Sequence, residues 1–431
     1  MERLLGTRGT THYKGKILPE RQRAEVRNTW LKRRLETILP EVMKREEIDM
    51  WIVVAREYNE DPVIMTLLPE PMMSARRRTI LVFFQKPDGT VERITISRYG
   101  LGDFYQAVWD PAKEDQWSCL RRIVSERRPA TIGLNFARVF AFGDGITHSE
   151  YGYVIEAIGA EYAARVKSAE RLCVGWLERR SPEEIQSYSG IVEIAHAIVA
   201  EGFSSEVVHP GITTTDDVVW WMRQKMTDLG VRAWFQPSIS IQAPGQVFSM
   251  PDERNKEVRK LILAGDVLHC DVGIQYLGLC TDTQQNAYVL KLGETDAPQG
   301  LKDAFAAGNR FQDIVTGELA KGRTGNEILA GSLAKAKEAG IKASLYTHPL
   351  GFHGHAAGPA FGMWDNQVSV PGTGEYELFD DTCFALELNI VRAVPEWGGM
   401  EVRIALEEDT VFTGGKAHYL AGRQTGFYLI G

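Results

Sequence analysis

The stretch Val267-Leu268-His269-Cys270-Asp271-Val272-Gly273-Ile274-Gln275-Tyr276-Leu277-Gly278-Leu279-Cys280-Thr281-Asp282-Thr283 sets the hardest condition on any fold this chain adopts. Two apolar, β-prone runs flank a turn centred near Tyr276 and Leu277, the pattern of a hairpin. That centre places Asp271 and Asp282 opposite each other, with Cβ atoms roughly 5 Å apart. Two carboxylates that close in apolar strands repel unless a proton or a cation stands between them. A hard cation, or a pair about 3.5–4 Å apart, relieves the repulsion. The alternative is that one aspartate faces solvent at the shoulder of the turn.

A chain of 431 residues is too long for one ordinary core, so two domains are expected. A net charge of −8 argues against nucleic acid or an anionic membrane as the main partner. No apolar run approaches the ~20 residues that span a bilayer, and the first eight residues show no secretory h-region. Five cysteines, an odd number without Cys-x-x-Cys spacing, fit reduced thiols. The cytoplasm is the expected compartment.

Val26, Trp30, Leu31, Leu35, Ile38, Leu39 and Val42 recur at helical spacing between about Arg21 and Lys44. Strands are predicted at 49–54, 79–84 and 131–136, with a return strand at 91–97 and a helix at 117–126. This is an α/β domain over residues 1–170 without a catalytic constellation, and Arg76-Arg77-Arg78 reads as a solvated turn. The second domain, 171–431, holds a helix opened by Ser181-Pro182-Glu183-Glu184. It then says the same thing twice. Gly211-Ile212-Thr213 with Asp216, and Gly322-Arg323-Thr324 with Glu327, each open a helix that closes near a glycine, Gly230 or Gly340. A duplicated helix–helix–strand–strand unit builds one sheet with helices outside and a pocket inside. Shared capping grammar alone is the alternative.

Three of the nine histidines, His348, His353 and His355, lie within eight residues, among Gly351, Gly354 and Gly358. Histidines beside glycines favour a ligand role over a core one. Glu387 sits in the apolar run Phe384–Ile390, where an unpaired carboxylate costs several kcal/mol. Val402–Phe412 is a further strand carrying Glu407, Glu408 and Asp409, with a charged edge as its plainer reading. Four carboxylates and one imidazole suit two divalent metals such as manganese, cobalt, zinc or iron.

The order Asp, Asp eleven later, His, Glu, Glu resembles the pita-bread metallopeptidases: methionine aminopeptidase, prolidase, Xaa-Pro aminopeptidase and their non-peptidase relatives. The resemblance covers about 171–431, and the domain before it looks like that of the prolidase and creatinase branch. It implies an α+β chain with a C-terminal pita-bread domain and two divalent metals, manganese first. Asp271 would hold one metal, Asp282 would bridge, and His355 in Gly-His-x-x-Gly would hold the other. Glu387 would be a ligand that also takes the proton of a bridging water. Glu408 would be the last bridge, with Glu407 open because it fits the count back from Thr413 better.

Departures from the family pattern bear on the reaction. Members carry a histidine upstream of the first aspartate, where this chain reads Pro244-Gly245-Gln246-Val247-Phe248-Ser249-Met250-Pro251. A second histidine follows the ligand by seven to nine residues; counted from His355, Trp364 stands there, and Trp364 and His353 are candidate substrate-binding residues. A third lies four before the ligand, at Gly351, with His348 and His353 as its candidate catalytic replacements. The resemblance implies hydrolysis of a short peptide with proline second by a metal-bridged hydroxide. Creatinase-like C–N hydrolysis or a lyase acting on a small metabolite is the alternative, and a non-catalytic binding module the third. Partners are a small peptide or small molecule, with no nucleic acid and no membrane. A homodimer is expected from the family branch alone.

Overall fold

The computed structural model describes residues 9–245 and 260–431, and its contacts divide the chain into two units. One is Leu18–Ser181; the other joins Pro182–Gly431 with the segment ending at Ile17. The division falls later than the 170/171 boundary expected from the change of pattern. Arg34, buried in the Glu20–Arg45 helix, accounts for this: it donates to the carbonyls of Trp176 and Arg179 at the end of the Glu170–Glu178 helix. A cation on the carbonyls at a helix C-terminus holds that helix to the first unit. The segment before Ile17 goes the other way, with the Tyr13 hydroxyl donating to Glu193 at 3.1 Å and Thr10 to Glu201.

The first unit is a six-stranded mixed sheet in which Met50–Arg56 pairs antiparallel with Arg78–Gln85 and parallel with Ile132–Leu134. Met50, Ile52, Val54, Ile80, Val82, Ile132 and Leu134 form its core with the Gln116–Arg127 and His148–Ala163 helices. The arginine run divides. Arg76 and Arg77 are exposed, whereas Arg78 clamps the buried Glu150 carboxylate at 2.7 and 3.0 Å, so it belongs to an ion pair rather than a solvated turn.

The second unit repeats helix, helix and strands. Its first half has helices Pro182–Gly202 and Thr215–Leu229 before strands Ser238–Gln242, Val267–Val272 and Thr283–Val289. Its second half has helices Gln299–Glu318 and Gly325–Glu338 before Lys342–Leu345, Thr382–Val394 and Met400–Thr413. Each second helix begins with a reciprocal capping box. It is made by Thr324 with Glu327 as predicted, but by Thr214 with Asp217, one residue beyond Thr213 and Asp216. The Thr213 hydroxyl instead accepts from His209 N at 2.9 Å and closes the preceding turn. The main sheet runs Lys342–Leu345, Thr382–Val394, Met400–Thr413, Thr283–Val289, Val267–Val272, Ser238–Gln242, so the two halves mirror each other about its middle. On one face Leu386, Leu388, Ile404 and Leu406 pack against Leu301, Phe305 and Phe311 of the Gln299–Glu318 helix. The opposite face carries the acids. Among the described residues no helix is long and apolar enough to cross a membrane.

Candidate metal centre

The hairpin turns at Leu277-Gly278, both at positive φ (54° and 83°), with Tyr276 paired to Leu279. Two left-handed central residues make the turn whose twist suits a hairpin, and Gly278 is the signal for it. The centre is therefore one residue later than the apolar pattern predicts. Asp271 faces Gln284, not Asp282, and the two aspartates are diagonal neighbours on one face. They still meet: Asp271, Asp282 and Glu407 each present an oxygen, all within 4.8 Å of one another.

A single row of paired residues crosses five strands: Ser238, Asp271, Gln284, Glu407, Glu387. Because side chains alternate along a strand, partners in such a row share a face. This corrects the last ligand. Glu408 lies on the helix-covered face, accepting from Gln424 N at 2.7 Å and Gln285 Nε2 at 3.2 Å, 3.0 Å from His196 Nε2. Glu407 is the acid that faces the cluster.

Two of the three histidines lie at the cluster. The strand His348–Leu350 pairs with the Glu387 strand, His348 opposite Ala385, and sets His348 Nε2 3.5 Å from Glu407 and 3.7 Å from Asp282. His348 Nδ1 lies 3.1 Å from the Pro349 carbonyl. A carbonyl only accepts, so Nδ1 carries a proton and Nε2 is the ring nitrogen turned to the acids. His348 is thus a histidine beside the acids as well as His355. His355 is exposed, its ring 4.7 Å from His348 and edge-on, and it joins Asp282 and His348 in a further potential ligand group. It stands seven residues after His348. Trp364 lies two-thirds exposed on the turn bridged by Met363 and Asn366. His353 is in none of the potential ligand groups; its carbonyl accepts from Gly351 N at 3.1 Å. Of the upstream loop, Pro244 and Gly245 are described, and Gln246–Pro251 lie outside the described residues.

The electrostatics are those of a site short of positive charge. Burial, then repulsion from neighbouring acids, pushes the Asp282, Glu387 and Glu407 carboxyls well above the usual range. Burial pushes Asp271 up to about 6. Asp271 Oδ1, Asp282 Oδ1 and Glu407 Oε1 are buried without a hydrogen-bond partner. Buried oxygens left so cost free energy unless something absent from the polypeptide binds them. Cys270 and Cys280 flank the aspartates, but burial raises both thiols, Cys280 to about 12, which makes them poor nucleophiles.

No family model and no curated protein matches this chain by sequence. Solved structures do. X-Pro aminopeptidase from Thermotoga maritima MSB8 superposes with a TM-score of 0.63 at 16% identity, over 90% of this chain and 99% of that one. Xaa-Pro dipeptidase from Bacillus anthracis gives 0.59 at 18%, over 92% and 99%. Prolidase from Pyrococcus furiosus gives 0.53 at 15%, over 89% and 99%. The chain has the pita-bread fold. The pita-bread domain, with its acids on the inner face of a duplicated sheet, and the α/β domain before it match the architecture expected from the resemblance.

Sequence reasoning missed several residues here. Gln284 and His269 face the acids, yet neither was legible while the turn was centred one residue early. Asp409 is buried on the inner face, its Oδ1 accepting from Asp282 N at 3.1 Å, and the alternation from Glu407 would have found it. Trp234 stacks edge-on against His355 at 5.3 Å, and its Nε1 donates to the Thr281 carbonyl at 2.7 Å. A Cβ on Gly273 or Gly354 would come within 2.1 Å of that indole, which explains both glycines.

Proposed function

We propose that this protein is a divalent-metal-dependent hydrolase that cleaves short peptides with proline second, as an aminopeptidase or dipeptidase. The observation that carries the reading is the set of buried carboxylate oxygens without donors, on Asp271, Asp282 and Glu407, gathered beside His348 Nε2. Carboxylate and imidazole donors suit manganese, with cobalt, zinc or iron as alternatives. Asp271, Asp282, His348, Glu387 and Glu407 would hold two such ions. Bound there, divalent cations supply Lewis acidity toward a carbonyl and toward water.

The chain's own groups divide the rest. Glu387, its carboxyl raised by burial and by Glu407, is suited to take a proton from attacking water and return it to the leaving amine. His355, exposed beside His348, is placed to meet the substrate carbonyl and steady its developing charge. A homodimer in the cytoplasm belongs to the same proposal. Metal analysis followed by assay against Xaa-Pro dipeptides and longer Xaa-Pro peptides tests it: bound metal with turnover supports it, and a metal-free, inert protein overturns it. Residues 246–259 contain no histidine, which favours a second reading, C–N hydrolysis or lysis of a small metabolite. Bound metal without peptide turnover selects that one.

A further inference from the structure

Gln284 is an uncharged side chain set between acids in the row, paired with Asp271 on one side and Glu407 on the other. Its Nε2 donates to Glu387 Oε1, and Glu387 is paired across the sheet with Glu407. Its Oε1 lies 2.9 Å from His269 Nε2, and His269 Nδ1 lies 3.4 Å from Ser240 Oγ. The proton order along this chain is forced. A carboxylate only accepts, so the amide turns its NH2 to Glu387 and its oxygen to His269. That oxygen needs a hydrogen on His269 Nε2, which leaves Nδ1 to accept from the Ser240 hydroxyl.

We propose that Gln284, oriented by His269, is a positioning residue for the metal centre: its amide clamps Glu387, holding that carboxylate beside Glu407 where a cation enters. The inference rests on the metal-binding reading of this cluster. Two like-charged glutamates on adjacent strands otherwise swing apart, and reuniting them would tax metal binding. The clamp engages Glu387 through its Oε1. His269 acts at one remove, by denying the amide its flipped orientation.

The test is Co2+ affinity, by equilibrium dialysis and by the visible absorption bands of the bound ion, in four proteins. Gln284→Leu and His269→Phe are expected to lose roughly 10–100-fold in affinity while the circular dichroism of the metal-free form is unchanged. His269→Gln is expected to recover most of that loss, because its amide donates to Gln284 where a phenyl ring does not. A merely space-filling role predicts no such recovery. Wild-type affinity in both Gln284→Leu and His269→Phe, or His269→Gln as weak as His269→Phe, overturns the clamp. Should Gln284→Leu fail to fold, the two His269 variants decide alone. A wild-type protein that takes up no Co2+ overturns the metal centre, and the clamp with it. Uptake that the variants leave untouched overturns the clamp only.

Discussion

Adjacent glutamates on one strand make a discriminating experiment, because Glu407 and Glu408 point to opposite faces of the same sheet. Glu407 is 1% exposed, 3.5 Å from His348 Nε2 and paired across the sheet with Glu387. Removing one partner of a buried, paired charge costs about 3–5 kcal/mol, here two or more decades of metal affinity. Manganese at a hundred times its dissociation constant stabilises the folded protein by about 2.7 kcal/mol, raising Tm by about 5–10 °C in a unit of this size. In Glu407→Gln that increment should nearly vanish. The metal-free Glu407→Gln protein should melt above metal-free wild type at pH 8, since Asp271 and Asp409 no longer repel a third charge. Glu408→Gln should behave oppositely. It weakens hydrogen bonds from Gln424 and Gln285 and the contact with His196, a loss of about 1.5–3 kcal/mol, or about 3–12 °C, with or without metal. Its manganese increment should survive. Calorimetry of both variants, with and without manganese, and metal content after dialysis read all four quantities. A Glu408→Gln protein that loses its metal while Glu407→Gln keeps it would refute the face assignment.

Asp282→Asn should abolish metal retention and activity while the fold stands, measured by elemental analysis and circular dichroism; full activity would remove Asp282 from the centre. His355→Ala should cut peptide turnover by about 10²–10³ with metal content unchanged, whereas Trp364→His should turn over as wild type, because Trp364 lies two-thirds exposed on its turn. The third concerns Asp61 in the first domain, whose carboxyl burial pushes up to about 6, against hydrogen bonds from Asn135, Val63 and Ile64. A folded-state value above the unfolded 3.8 means the native state holds the proton longer. Its stabilisation is full below pH 3.8 and is lost as pH rises through 6, a change of roughly 3 kcal/mol. Asp61→Asn should therefore gain on wild type as pH rises from 4 to 7 in thermal melts, and a constant offset would refute the buried-acid argument.

Much of the fold was legible because its elements announce themselves locally. The Glu20–Arg45 helix shows its apolar stripe, Met50–Arg56 and Arg78–Gln85 read as unbroken apolar runs, and the Thr324–Glu327 cap is a four-residue pattern. The domain boundary was less so, since Arg34 ties the Glu170–Glu178 helix back across more than a hundred residues of chain.

The amino-acid sequence by itself determined the inventory of the site: aspartates on a hairpin, a glutamate in an apolar strand, an acidic strand end, and histidines among glycines. Tertiary structure alone decided which members of each group meet. A strand reverses its facing at every residue, so Glu407 and Glu408 are equivalent until pairing with Gln284 and Glu387 assigns one to the pocket. The same holds for His348, set beside the acids by pairing with Ala385, a partner far along the chain. Composition and spacing carry no information about register with a remote strand, and register is what turns a list of acids into a place where a cation can bind.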